Sequence, residues 1–261
     1  MPSEKIPASL LEALSRAHPS WQPLLRQGLA AIDPTYLSAL AASDYLPTEQ
    51  RLFAAFSLPL AEVRYVLVGE GPYPRAESAT GVCFMDGAVG SLWSEGGLSK
   101  PVNKATSLRN FMKMLLVADG RLELADTGGA AIAARGCSTG AIQTLAQLQD
   151  NLTAHGFLLL NATLVFRPDV APAIDARAWL PFLQTVLAAL HDTKPTLVLW
   201  GKIAEQLQKL PETAGLPQIV SEHPYNLSFI GHREMHALFG PMHLLRTGRA
   251  KTDPRGFDIL D

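Results

Sequence analysis

The sequence predicts an α/β fold: a central four-stranded parallel sheet with helices on both faces. Two observations predict it. Four short apolar runs, at 64–69, 157–160, 196–200 and 218–220, have the length and composition of buried strands. Between them lie segments with apolar residues at helical spacing, and strands alternating with helices build a parallel sheet covered on both sides. With 261 residues, 48% hydrophobic and 18% charged, the chain can bury a sizeable core. It has no repeats and no low-complexity tract and reads as one domain, 1–261.

Residues 8–56 read as helical. Leu10, Leu11, Leu14 and Ala17 recur at helical spacing, as do Leu24, Leu25 and Leu29. Asp33-Pro34 opens another helix, and Pro47-Thr48-Glu49 a third that runs to Phe56. Residues 1–44 form a helical extension ahead of the first strand. That strand ends in Gly69-Glu70-Gly71-Pro72, where two glycines and a proline force a tight turn. Gly81-Val82-Cys83-Phe84 is a short apolar piece, and Met85–Ala105 is loop-like. Ser107 is placed to cap a helix over 108–117. Residues 119–140 are rich in Gly and Ala without a clean period. Helices are expected over 142–154, 178–190, 203–210 and 234–246.

Composition narrows the function classes. The net charge of −2 carries no bulk basic signal for nucleic acid, although a local basic patch can suffice. Two cysteines, Cys83 and Cys137, cannot make a four-thiolate metal or iron–sulfur site. Met1–Leu10 has no apolar signal core, and no apolar run is long enough to span a membrane. The expectation is a soluble, cytoplasmic, monomeric protein without metal or cofactor.

Each strand ends in a polar or special residue: Glu70 and Tyr73 after the first, then Asn161, Gly201 and His223. In a parallel sheet these endings meet on one edge, where ligands of such sheets bind. A carboxylate, a phenol, an amide and an imidazole would share a crevice. An amide both donates and accepts, so it can read the edge of a base. An imidazole can act as acid, base or charge stabiliser. Taken singly, each has a plainer reading as a turn or loop residue.

These motifs, in this order, resemble a family 1 uracil-DNA glycosylase. That family's G-Q-D-P-Y-H is matched by Gly69-Glu70-Gly71-Pro72-Tyr73-Pro74, and its G-L-C-F by Gly81-Val82-Cys83-Phe84. Its S-L-x-N is matched by Ser107-Leu108-Arg109-Asn110, its L-L-L-N by Leu158-Leu159-Leu160-Asn161, and its L-L-W-G by Val198-Leu199-Trp200-Gly201. His223-Pro224-Tyr225-Asn226-Leu227-Ser228 matches H-P-S-P-L-S, and Phe257-Asp258-Ile259 echoes a closing I-D-W. The resemblance covers about residues 45–261 and implies the three-layer sandwich of that family. It implies that Phe84 stacks on a flipped base, Asn161 hydrogen-bonds its Watson–Crick edge and Tyr73 closes the pocket against a 5-methyl group. It makes His223 the stabiliser of the leaving base and Leu227 the wedge that replaces it in the duplex. Ser107, Lys202 and Ser228 join Leu227 as expected contacts to uracil-containing DNA. Without the resemblance, Phe84 reads equally as core and Leu227 as a buried loop anchor. Met85 and Trp93 read as packing residues.

Set beside that family, residues 119–140 look like an insertion before the Asn161 strand, and the chain also departs from the family where water is handled. The family's aspartate is Gly71 and its next histidine Pro74. Gly69-Glu70-Gly71-Pro72 instead resembles the G-E-G-P start of family 4 uracil-DNA glycosylases, which lack that aspartate but carry four cluster-binding cysteines. Glu70 is the nearest substitute carboxylate, and Asp86 a second. Three readings stand: an N-glycosylase using Glu70 and His223, a degenerate member that binds without turnover, and an enzyme acting on another base.

Overall fold

In a computed structural model, residues 6–136 and 140–247 are described; Cys137 and Phe257-Asp258-Ile259 lie outside the described residues. Six strands occur among them: β1 Tyr65–Gly69, β2 Trp93–Ser94, β3 Gly97–Leu98, β4 Phe157–Asn161, β5 Thr196–Trp200 and β6 Gln218–Ser221. Four make a parallel sheet in the order β4-β1-β5-β6. The register sets Val66 beside Leu158 and Leu197, and Val68 beside Leu160 and Leu199. Side chains alternate along a strand, so these six apolar residues share one face, and all are buried in the main core. Leu67, Leu159 and Val198, of opposite parity, are buried as well. A sheet dry on both sides requires the near-continuous apolar runs seen in the sequence. This is the expected α/β sheet with helices around it.

The described chain divides into two compact units. The first holds residues up to Val89 together with Gly156–Asn226, and so contains the whole four-stranded sheet. Its core joins the N-terminal helices to the long helix Pro172–Ala189. Gly28 makes that approach possible: a Cβ there would lie 2.7 Å from the Phe182 ring. Asp33 caps the helix Pro34–Ala41, accepting from the Thr35 and Tyr36 amides at 2.8 and 3.0 Å. The second unit holds Gly90–His155 and the chain from Leu227 onward. It contains the β2–β3 ribbon, the helices Thr106–Ala118, Gly129–Arg135 and Leu145–Ala154, a 3-10 turn at Leu227–Gly231 and the helix Arg233–Phe239.

Several element boundaries differ from the sequence reading. No helix starts at Pro47: Glu49 and Gln50 are left-handed, at φ 60° and 58°, and helical turns begin only at Arg51 as a kinked 3-10 segment to Ser57. Leu52, Phe53 and Phe56 are buried there, and Phe53 and Phe56 depart from helical angles. Ser107 is not a cap, because the helix begins at Thr106 behind Ala105 and Ser107 lies in its first turn. The cap belongs to the short preceding helix Lys100–Lys104, where the Ser99 hydroxyl accepts from the Val102 amide. The loop over 85–105 therefore contains a ribbon and a helix. Pro172, at the first helical position, starts its helix six residues earlier than periodicity suggests. Gly240-Pro241 stops the last α-helix at Phe239, short of Arg246. Among the described residues no helix is long and apolar enough to cross a membrane.

Candidate active site

Parallel pairing brings the carboxyl ends of β1, β4, β5 and β6 to one edge, and within the first unit this edge gathers the polar strand endings. Gly69 pairs with Asn161. The ladder continues beyond it, with the Ala162 amide donating to the Gly69 carbonyl at 2.8 Å and the Thr163 amide to the Glu70 carbonyl at 3.1 Å. The backbone of Glu70 is thus tied to the strand that carries Asn161. Asn161 is 3% exposed. A Cβ on Gly69 would stand 3.0 Å from Asn161 Oδ1 and 3.1 Å from Cys83 Cβ, so glycine leaves room for both.

The Gly81–Phe84 piece is no strand. The Cys83 amide donates to the Leu159 carbonyl at 3.1 Å, and Cys83 Sγ lies 3.3 Å from the Leu67 carbonyl. These contacts pin the segment over the strands, and burial pushes the thiol up. Phe84 follows in a left-handed conformation, φ 66°, with its ring edge-to-face with Trp200 at 5.3 Å. It is half-buried, which departs from the reading of plain core. A left-handed phenylalanine is strained by roughly 1–2 kcal/mol, and such outliers collect at functional positions. Tyr73 is half-buried. Burial first, then the charges of Asp86 and Cys83, push its phenol up to about 12, so it stays neutral. Asp86 is committed to its own turn: Oδ1 accepts from the Ala88 amide at 2.9 Å and Oδ2 lies 3.7 Å from the Arg75 guanidinium.

Gly201 closes β5 at φ 69°, and a Cβ there would lie 2.8 Å from His223 Cβ. His223 Nδ1 accepts the Tyr225 amide at 3.1 Å. An acceptor Nδ1 places the ring proton on Nε2 and leaves the imidazole neutral. The residue is exposed in area, yet protein crowds the ring enough to lower its pKa, and the Glu70 charge opposes that shift. Glu70 is exposed. Gly71 has no left-handed backbone, and a Cβ there would meet only Thr163 O at 3.5 Å and Thr163 Cβ at 3.8 Å. Glycine is therefore not required at 71, and a Cβ is accommodated.

A cavity of about 660 Å³ opens on the other members of this turn, lined by Glu70, Gly71, Thr163, Lys202 and the Arg167–Asp175 pair among others. Tyr73, Phe84, Asn161 and His223 do not line it. The chemistry-bearing strand ends, and not this cavity, mark the candidate site. Thr163 and Trp200, which support Glu70 and Phe84, escape the sequence reading; the tryptophan just before Gly201 is the available signal.

Three expected DNA contacts lie in the second unit. Leu227 is 70% exposed at the start of its 3-10 turn, which removes its reading as a buried anchor. Ser228 is exposed and Ser107 half-buried. Lys202 is exposed in the first unit. Met85 and Trp93 are buried packing residues as expected. No group of three or more His, Cys, Asp or Glu able to hold a metal occurs among the described residues.

No protein-family model matches the chain. It is 31% identical over 220 residues to the uracil-DNA glycosylase of Corynebacterium glutamicum, covering 81% of each chain. The chain belongs to the uracil-DNA glycosylase family. The uracil-DNA glycosylase of Corynebacterium efficiens is 29% identical over 226 residues, covering 83% of this chain and 82% of that one. Among solved structures, the UNG of Nitratifractor salsuginis superposes with a TM-score of 0.87 at 44% identity, over 91% of this chain and 96% of that one.

Family membership makes the left-handed Phe84 a matter for measurement. Phe84→Gly relieves the backbone strain while losing the edge-to-face contact with Trp200, about 0.5–1.5 kcal/mol, and the burial of about half a ring, roughly 1 kcal/mol. The expected net loss is under about 2 kcal/mol, against roughly 3–5 kcal/mol or more for deleting a core phenylalanine. Urea denaturation separates the two, and a core-sized loss would remove the strained-platform reading.

Proposed function

We propose that this protein hydrolyses the N-glycosidic bond of uracil in DNA, as a monomer in the cytoplasm, and so opens base excision repair. The gathering of a buried carboxamide, a half-buried ring, a neutral imidazole and a carboxylate on one sheet edge carries the reading. Family membership supports it. The glycosidic bond is out of reach in stacked DNA, so the nucleotide must be flipped. Phe84 offers its face to the flipped base, Asn161 donates to and accepts from its edge, and Tyr73 walls off the 5-position. As the C1′–N1 bond breaks, the electron pair leaves with the base and negative charge builds on a uracil oxygen. The His223 Nε2–H donates to that oxygen. Water adds to the cationic sugar carbon and passes its proton to Glu70. Lys202, Ser107, Ser228 and Leu227 hold the strand. We read 1–261 as one glycosylase domain in function, with 1–44 as its extension and 119–140 as its insertion.

The test is uracil release from a uracil-containing oligonucleotide, read as alkali-labile strand cleavage. Turnover by the unmodified protein is the expected result. One observation favours a second reading, in which the protein binds uracil-DNA without turnover: Gly71 replaces the motif's aspartate although the backbone does not demand glycine. Binding without cleavage, with cleavage appearing in Gly71→Asp, would establish that reading instead.

The pH profile follows from His223. Its working form is neutral, and its pKa is lowered, so the neutral form persists below the ordinary imidazole range. Uracil release is expected to keep its plateau through that range and to fall only at lower pH, as Nδ1 takes a proton and loses the Tyr225 amide. An acid limb at or above the ordinary imidazole value would contradict the neutral donor.

A further inference from the structure

We propose that Leu124, at the tip of a turn in the 119–140 segment, is a second apolar finger that contacts the DNA base stack beside Leu227. The proposal rests on the DNA reading above. Leu124 is 56% exposed, and it and Leu227 are the two exposed large aliphatic residues of the second unit among the described residues. Its setting is unusual for a leucine. Glu123 and Asp126 bridge, with the Asp126 amide donating to the Glu123 carbonyl at 3.0 Å, so Leu124 and Ala125 are the central pair of a four-residue turn. Such positions favour Gly, Pro, Asn, Asp and Ser for their backbone preferences. A leucine adds nothing to the turn and exposes apolar surface.

The turn stands on the wedge itself. Leu124 Cδ2 and Cδ1 lie 3.0 and 3.2 Å from where a Cβ on Gly231 would be. The leucine therefore rests on bare glycine backbone, and Gly231 ends the 3-10 turn that Leu227 begins. At ~2 Å rise per residue that turn spans about 8 Å. With 3.4 Å per nucleotide step, the two leucines are set roughly two to three steps apart.

Both fingers have stiff supports. Phe229 and Ile230 bury the middle of the 3-10 turn, and the Ile230 carbonyl lies 2.7 Å from His236 Nε2. Leu122 is buried just behind the tip, and Arg121 donates to the Gly136 carbonyl. A rigid apolar projection is what unstacking a base step requires. The 3-10 turn packs on the helix Thr106–Ala118, where the half-buried cations Arg109 and Lys113 sit one turn apart. Two cations so placed suit a phosphate. The tip itself carries acids: Glu123 is exposed, and Asp126 Oδ1 accepts from the Gly128 amide at 3.3 Å. Glu123 therefore opposes the approach of DNA at the tip, and the apolar contact of Leu124 with base faces has to outweigh that repulsion.

The test uses the whole protein and a duplex carrying a non-cleavable 2′-fluoro deoxyuridine. 2-Aminopurine is placed one to four nucleotides to either side, or opposite. Binding is expected to brighten 2-aminopurine two or three steps from the uracil analogue. Leu124→Ala is expected to abolish that signal and raise the duplex Kd about fivefold, while changing the single-strand Kd less than about twofold. Leu124→Met is expected to restore both, and the unfolding temperature is expected to stay unchanged because the side chain is exposed. Glu123→Gln is expected to tighten duplex binding. Unchanged duplex Kd and fluorescence in Leu124→Ala overturn the proposal, as does a loss that follows a lowered unfolding temperature. Leu227→Ala, run alongside, separates the two failures. If it weakens duplex binding and Leu124→Ala does not, only this proposal falls. If the unmodified protein does not bind the duplex, the DNA reading falls and takes this one with it.

Discussion

Glu70→Gln is expected to slow single-turnover uracil release by on the order of 10²-fold or more, with little change in affinity for uracil-DNA. The carboxylate is exposed, so an isosteric amide should leave stability near that of the unmodified protein. The Glu70 backbone is held by the Thr163 amide, so the turn keeps its shape in the variant. An amide can still hydrogen-bond a water but cannot take its proton. Asp86, the other nearby carboxylate, is held by the Ala88 amide and faces Arg75, and is a poor substitute. A linked effect follows. The Glu70 charge opposes the lowering of the His223 pKa, so removing it should move the acid limb of the residual activity to still lower pH. A rate equal to the unmodified protein's would take Glu70 out of the mechanism.

Gly201→Ala is expected to cost about 2–3 kcal/mol of stability and to slow uracil release about 100-fold. Two independent causes add. The backbone at φ 69°, ψ −145° lies in a region that essentially only glycine occupies. The new methyl would also stand 2.8 Å from His223 Cβ and push the imidazole off its position. Gly71→Ala is the matched control: it meets atoms at 3.5 Å without left-handed strain and should leave stability unchanged. Denaturant melts and single-turnover rates measured on both variants are the check. If Gly201→Ala releases uracil at the unmodified rate, the position of His223 does not depend on that close approach.

Much of the fold and of the candidate site is legible in the order of residues alone. Apolar runs such as Tyr65–Val68 and Phe157–Leu160 announce buried strands because a parallel sheet must be dry on both faces. Strand ends are local as well, since Gly69, Asn161 and Gly201 are the residues at which those runs stop. Pro47 misleads because a helix-start signal says nothing about the left-handed Glu49 and Gln50 that precede the buried Phe53 and Phe56. Ser107 misleads because the helix starts one residue before it.

The sequence by itself determined the four strands of the parallel sheet, the residues that end them and the side chains able to read a base; it did not show the β2–β3 ribbon. Tertiary structure alone decided the order β4-β1-β5-β6, the left-handed backbone of Phe84, the neutral tautomer of His223 and the meeting of Leu124 with Gly231. The reason is physical. Strand and helix signals arise from periods of two and 3.6 residues within one segment. Tautomer, strain and close approach arise between atoms that meet only when distant segments pack, and no local period encodes them.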